Sequence, residues 1–228
     1  MTTKGQIKKL VRPLLERHPD LVLDGQWLYL KPVRHVLRTL LFDRTGEAAH
    51  FVPRWAVMIL FDPSEIIDIK YGERLGPGGR LRGEHGNLWY WGDPRMPEVL
   101  FDVVENEALP AMRRIESIDD FVDYTSFPDR FRNAELPGFP YLKVPIDVSR
   151  GDLESARAIC EKWRGIIPKL KRTDPTVINL QALCPLLAAN DVPALIRQLH
   201  AWEEYTVRQL KLEKIWEPSP FPIEEKLT

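Results

Sequence analysis

The chain has 228 residues, 44% of them hydrophobic and 29% charged, the proportions of an ordinary soluble globular protein of one large domain or two small ones. Its 32 basic and 33 acidic side chains leave a formal net charge of −1, which excludes a whole-protein field that would draw nucleic acid. No run approaches the roughly 18 apolar residues of a membrane span, and MTTKGQIKKL lacks an apolar signal core, so an intracellular, cytoplasmic setting is expected.

Ile7, Leu10, Val11, Leu14 and Leu15 fall at the spacing of an amphipathic helix. Pro13 conflicts with it and predicts a kink or a fresh turn, and His18-Pro19 ends it. Leu21–Leu23 and Trp27–Leu30 flank Asp24-Gly25, which predicts a hairpin with a type I′ turn. Val36–Asp43 reads as a third strand and Arg44–Glu47 as a turn. His50–Phe61 (HFVPRWAVMILF) reads as a long strand, apolar on both faces, at the centre of the sheet. Consecutive strands with short turns make an antiparallel meander.

Asp62-Pro63-Ser64-Glu65 has the residues of a helix start, although Ile66, Ile67 and Ile69 would keep that helix short. A glycine-rich loop, Gly72–Gly86, precedes an aromatic strand over Asn87–Trp91. From Met96 the spacing turns helical, with a restart at Leu109-Pro110 and a capping box at Ser117–Asp120. Ser126–Val148 reads as irregular, with one short strand near Tyr141–Val144. Three helices follow: a stripe from Leu153 to Leu170, one opened by Asp174-Pro175, and one beyond Asn190-Asp191. The tail Pro218–Thr228 is expected to be extended. The fold expected is α+β, a single domain over 1–228. In it an N-terminal helix, an antiparallel sheet and a helix pair fill 1–125, and a helical region over 149–216 packs on them.

The two cysteines, Cys160 and Cys184, fall in helical stretches, and buried thiols are expected there, a disulfide being the alternative. No zinc spacing, nucleophile elbow or P-loop occurs, so neither cofactor nor metal is implied. Adjacent Glu84 and His85 point to opposite faces of an extended segment and make a poor acid–base pair. The carboxylates Asp119, Asp120 and Asp123 complement a helix N-terminus, and Glu105 and Glu107 face different ways. The candidate binding residues are Arg74, Arg80 and Arg82, whose guanidinium groups suit an anion, with Glu84 and His85 beside them in the loop. Trp89 and Trp91 share one strand face and would form an aromatic anchor if exposed.

Three stretches together resemble a bacterial domain-of-unknown-function family of the 4304 series. They are IKKLVRPLLERH running into LVLDGQWLYL, the strands ending in WAVMILF, and ENEALPAMRRIESIDDFVDY. The resemblance spans roughly the first 125 residues, and some relatives look like toxin-immunity proteins, which act by masking a toxin. It implies a non-catalytic module whose partner is another protein, and the charge and hydropathy lead us to expect no nucleic acid and no membrane partner. The other expectation is a small-ligand or nucleotide-binding protein, or an enzyme, that uses the glycine-rich loop.

Overall fold

The structure, a computed structural model, describes residues 2–77, 80–81, 88–125, 139–166 and 175–226, with the side chains of 139–141 and 175–176 left aside. The chain forms two compact units, one of Met1–Met58 with Asp68–Phe121, the other of Ile59–Ile67 with Val122–Thr228. The fold class is α+β, with the antiparallel sheet in the first half and helices in the second.

The first unit opens with helix α1 (Lys4–Arg17). Thr3 and Gln6 cap it reciprocally: Gln6 N donates to Thr3 Oγ1 (3.2 Å) and Thr3 N to Gln6 Oε1 (2.9 Å). No fresh turn starts at Pro13. The helix runs through the proline to Arg17, with Ile7, Leu10, Val11 and Leu14 buried on one face.

Strands β1 (Leu21–Asp24), β2 (Trp27–Leu30), β3 (Val36–Arg44), β4 (His50–Ile59) and β5 (Tyr71–Arg74) lie side by side in chain order, and β6 (Trp89–Tyr90) also pairs with β4. Asp24 pairs with Trp27, which places the first turn at Gly25-Gln26, one residue later than expected. Only Gly25 has positive φ there (62°), the residue pattern of a type II′ turn rather than I′. Both β3 and β4 are buried along both faces, so the central role expected of β4 is shared. β4 ends at Ile59, two residues short of Phe61.

The edge of β4 away from β3 takes β5 along Arg54–Val57 and β6 at His50–Phe51. The start of the expected glycine-rich loop is therefore a strand. Gly72 lies opposite Ala56, and a Cβ at that position would sit 2.0 Å from the Trp55 carbonyl oxygen. This glycine serves close backbone approach within the sheet.

Helix α2 (Met96–Val103), a wide π turn (Val104–Ala108) and α3 (Leu109–Arg113) form a nearly continuous rod. Pro110 accounts for the wide turn, because it has no N–H and its ring would strike the carbonyl four residues back. Helix α4 (Ile118–Thr125) has the expected cap: Ser117 N donates to Asp120 Oδ2 (2.8 Å) and Asp120 N to Ser117 Oγ (3.1 Å). Phe121 meets Tyr71 of β5 edge to face at 5.3 Å.

The second unit contains α5 (Phe139–Arg150), α6 (Leu153–Trp163), α7 (Pro175–Ala189), α8 (Val192–Gln209) and the short α9 (Pro222–Glu225). The short strand expected at Tyr141–Val144 is helical, inside α5, which also accommodates Pro145; Ser126 lies outside the described residues. Asp152 and Asp191 cap α6 and α8, and Asn190 (φ 56°) makes the left-handed turn between α7 and α8. The buried thiols expected at Cys160 and Cys184 are corrected: the two form a disulfide joining α6 to α7. The extended tail is corrected as well. Phe221 and Ile223 are buried, and Lys226 Nζ donates to the Arg150 carbonyl (2.7 Å). Apolar anchors outweighed the prolines that flank them.

No helix begins at Asp62. Ser64 Oγ instead donates to the Ile66 carbonyl (2.8 Å), closing a local turn. Among the described residues, no helix is long and apolar enough to cross a membrane.

Phe61 and Phe221 are fully buried and meet edge to face at 5.2 Å. Truncating either to alanine should cost about 3–5 kcal/mol, and a double-mutant cycle should return a coupling of about 0.5–1.5 kcal/mol. Urea unfolding of the four proteins measures both.

Candidate functional site

Of the seven residues expected to bind, Arg82, Glu84 and His85 lie outside the described residues. Trp89 is fully buried and its Nε1 donates to the Leu75 carbonyl (2.6 Å). Trp91 lies 4.4 Å from the Phe51 ring, and its Nε1 donates to Thr2 Oγ1 (2.9 Å). Both indoles belong to the packing of the sheet, so the exposed aromatic anchor does not form. Arg80 reaches the rod of α2 and α3, where its Nη2 donates to Glu107 Oε1 (2.8 Å). The Glu107 hydrogen bond raises its pKa above the ordinary arginine value.

Arg74 differs from the others. It sits directly opposite Arg54 of β4, so two like charges share one face of adjacent strands. The Nε of Arg54 is buried and, among the described residues, has no hydrogen-bond partner. A side-chain donor withdrawn from water without an acceptor is costly, and the natural relief is an anion.

A second polar group, at the C-terminal end of α1, was not legible in the sequence. Glu105 Oε1 accepts from Arg17 Nε (2.7 Å) and from His18 Nε2 (2.8 Å). The opposite ring nitrogen, His18 Nδ1, faces Arg113 Nη2 at 3.3 Å, and Arg113 also grips both oxygens of Asp20. An arginine can only donate, so His18 carries its proton on Nε2. The Arg17 hydrogen bond, and then that of His18, hold the Glu105 carboxyl below its usual range against the opposing effect of burial. Every member has a partner, and the cluster reads as a clasp.

In the second unit, Lys143 Nζ donates to both oxygens of Asp147 (2.7 Å) and lies 3.2 Å from Ser155 Oγ, which donates to Asp147 Oδ2 (2.6 Å). Lysine beside serine invites a nucleophile–base reading. The hydrogen bonds argue otherwise: the serine hydroxyl donates to the buried Asp147 carboxylate and not to the amine, which itself donates to that carboxylate. Among the described residues, no three His, Cys, Asp or Glu side chains gather as metal ligands would.

The feature best placed to meet a partner is the strap Ile59–Ile67, which continues from β4 and belongs to the second unit. Leu60 and Phe61 are fully buried. Asp62 Oδ1 accepts from Asn179 Nδ2 of α7 (2.7 Å), Ser64 N donates to Thr206 Oγ1 of α8 (3.2 Å), and Tyr205 OH donates to Glu65 Oε1 (2.9 Å). On this pinned segment Ile66 is 72% exposed, with Tyr205 at 37% and Ile178, next to Asn179, at 48%. The signal in the sequence was the crowd Ile66, Ile67 and Ile69, too many apolar side chains for a segment with no regular structure to bury them.

Comparison of the chain with protein-family models, with curated proteins and with solved structures finds no match. The resemblance to the 4304 series therefore rests on its residue patterns.

Glu105 supplies a pH dependence. Its folded pKa is depressed, so its contribution to stability is complete above its unfolded value of about 4.3 and is lost as pH falls through the folded one. Glu105→Gln should cost about 1–2 kcal/mol at neutral pH and should flatten the loss of stability on the acid side. Melting curves of both proteins between neutral and acidic pH report it.

Proposed function

We propose that this chain is a non-catalytic protein-binding module, immunity-like in its mode of action, and that it meets its partner through the strap Ile59–Ile67. The observation that carries the reading is Ile66, 72% exposed on a segment held by Thr206 at its backbone and by Asn179 and Tyr205 at its side chains. A large aliphatic side chain displayed on a segment already ordered is inexpensive to bury against a partner, because the chain entropy has been lost in folding. Tyr205, bonded to Glu65, adds to the apolar contact, and Asp62 and Glu65 give the strap an acidic character suited to a basic partner. Ile66→Asp should weaken partner binding by roughly 30-fold or more, the effect of losing a hot spot, while melting stays unchanged. Cross-linked pull-downs with wild type and variant test it. Recovery of the same proteins by both, or of none at micromolar concentration, counts against the reading.

The ligand-binding alternative draws support from Arg54 and Arg74. Their in-register pairing and the buried Arg54 Nε, unpartnered among the described residues, suit a phosphate or carboxylate group laid across both. Phosphate at about 100 times its dissociation constant should add about 2.7 kcal/mol of stability. A thermal-shift titration against chloride of equal ionic strength measures this, and Arg74→Met should abolish it. Melting that follows ionic strength alone removes the alternative.

The cytoplasmic setting is likewise a proposal, and the Cys160–Cys184 bond weighs against it, since disulfides persist mainly in oxidising compartments. Alkylating free thiols at the moment of lysis tests it in cells.

A further inference from the structure

The disulfide between α6 and α7 is not sealed in a core. Cys160 is 8% exposed and Cys184 is half-buried, and the bond forms part of the wall of an open hollow of about 310 Å³. Arg164, the C-cap of α6 four residues beyond Cys160, shares that wall with Glu161 of α6 and Gln181 of α7. The Arg164 guanidinium is 73% exposed and pairs with Glu161 at 3.3 Å. Helix α7 carries no charged residue over Pro175–Ala189, so the charges on the wall of the hollow are Arg164 and its partner Glu161, both from the end of α6.

We propose that this bond is a site of thiol exchange, at which a small-molecule thiol such as glutathione forms a mixed disulfide with Cys184. The attacking thiolate bonds to the Sγ of Cys184, the more exposed of the two residues. The Cys160–Cys184 bond breaks, and its electron pair leaves on Cys160 Sγ as a thiolate. Arg164 is the cation on that wall, and a cation beside a leaving thiolate stabilises it and speeds its departure. A second thiolate attacks the outer sulfur of the adduct, releasing the oxidised small thiol and a Cys184 thiolate. The protons given up by the two small thiols end on Cys160 and Cys184. Two thiols are oxidised to one disulfide, and one protein disulfide is reduced to two thiols.

The helices do not depend on this bond alone. Arg157 of α6 donates through Nε to the Leu187 carbonyl (3.1 Å) and through Nη2 to Asn190 Oδ1 (2.5 Å) at the C-terminal end of α7. The opened form keeps that clip, so the exchange is reversible in the folded protein.

The test is the rate at which glutathione reduces the folded full-length chain, followed by acid quenching, alkylation and peptide mass mapping. A rate that rises in proportion to glutathione, with the early adduct on Cys184, is expected. Arg164→Gln should slow it by roughly two- to fivefold, and Arg164→Lys should restore most of the loss, a pattern that a merely structural role for Arg164 would not produce. A rate that levels off at that of global unfolding overturns the proposal, as does an adduct on Cys160. An unchanged rate in Arg164→Gln overturns the leaving-group argument.

Discussion

One apolar run serves two cores. Val57, Met58, Ile59, Leu60 and Phe61 are consecutive and each at most 5% exposed, yet the chain passes from the first unit to the second between Met58 and Ile59. Neither unit is a continuous stretch of sequence, and the second draws Leu60 and Phe61 from a strap that precedes the rest of it by more than fifty residues. The length of β4, the seating of α7 and α8 and the display of Ile66 all follow from that sharing.

Polar contacts fix how the strap is held. Asn179 and Thr206 are each no more than 2% exposed, and their partners there are Asp62 and Ser64. A buried amide or hydroxyl without a partner is costly, so a strap shifted by one residue would strand both groups. Burial of Leu60 and Phe61 supplies the drive, and these bonds supply the register. In the first unit the same division holds at α1, where Ile7, Leu10, Val11 and Leu14 supply burial, and Glu105 with Arg17 and His18 orients the helix end.

What could be read ahead of the structure was whatever depends on local periodicity. The strands through β4, the Ser117–Asp120 cap and the breaks at His18 and Asn190 depend on spacings within a few residues, and the structure has them. The end of β4 was misplaced because Leu60 and Phe61 continue the alternation while belonging to another core. The tail was misjudged because Pro218, Pro220 and Pro222 speak locally for extension, whereas Phe221 is anchored by Phe61, 160 residues away in the chain. Pro145 hid α5 in the same way. At the candidate site, Trp89 and Trp91 were chosen for chemistry that any indole has, and only the fold shows their N–H groups engaged. Arg74 kept its interest for a reason invisible along the chain, the presence of Arg54 across the strand.

The strap also sets an order of events during synthesis. Asp62 and Asn179 are 117 positions apart, and Ser64 and Thr206 are 142 apart. At translation rates of about 5–20 residues per second, Leu60 and Phe61 leave the ribosome roughly 6 to 28 seconds before the side chains that clasp the strap. For that interval the sheet can form around them while two large apolar side chains have no core of their own. Such contacts between distant positions form late in folding, and the nascent chain is then most exposed to aggregation and most dependent on chaperones.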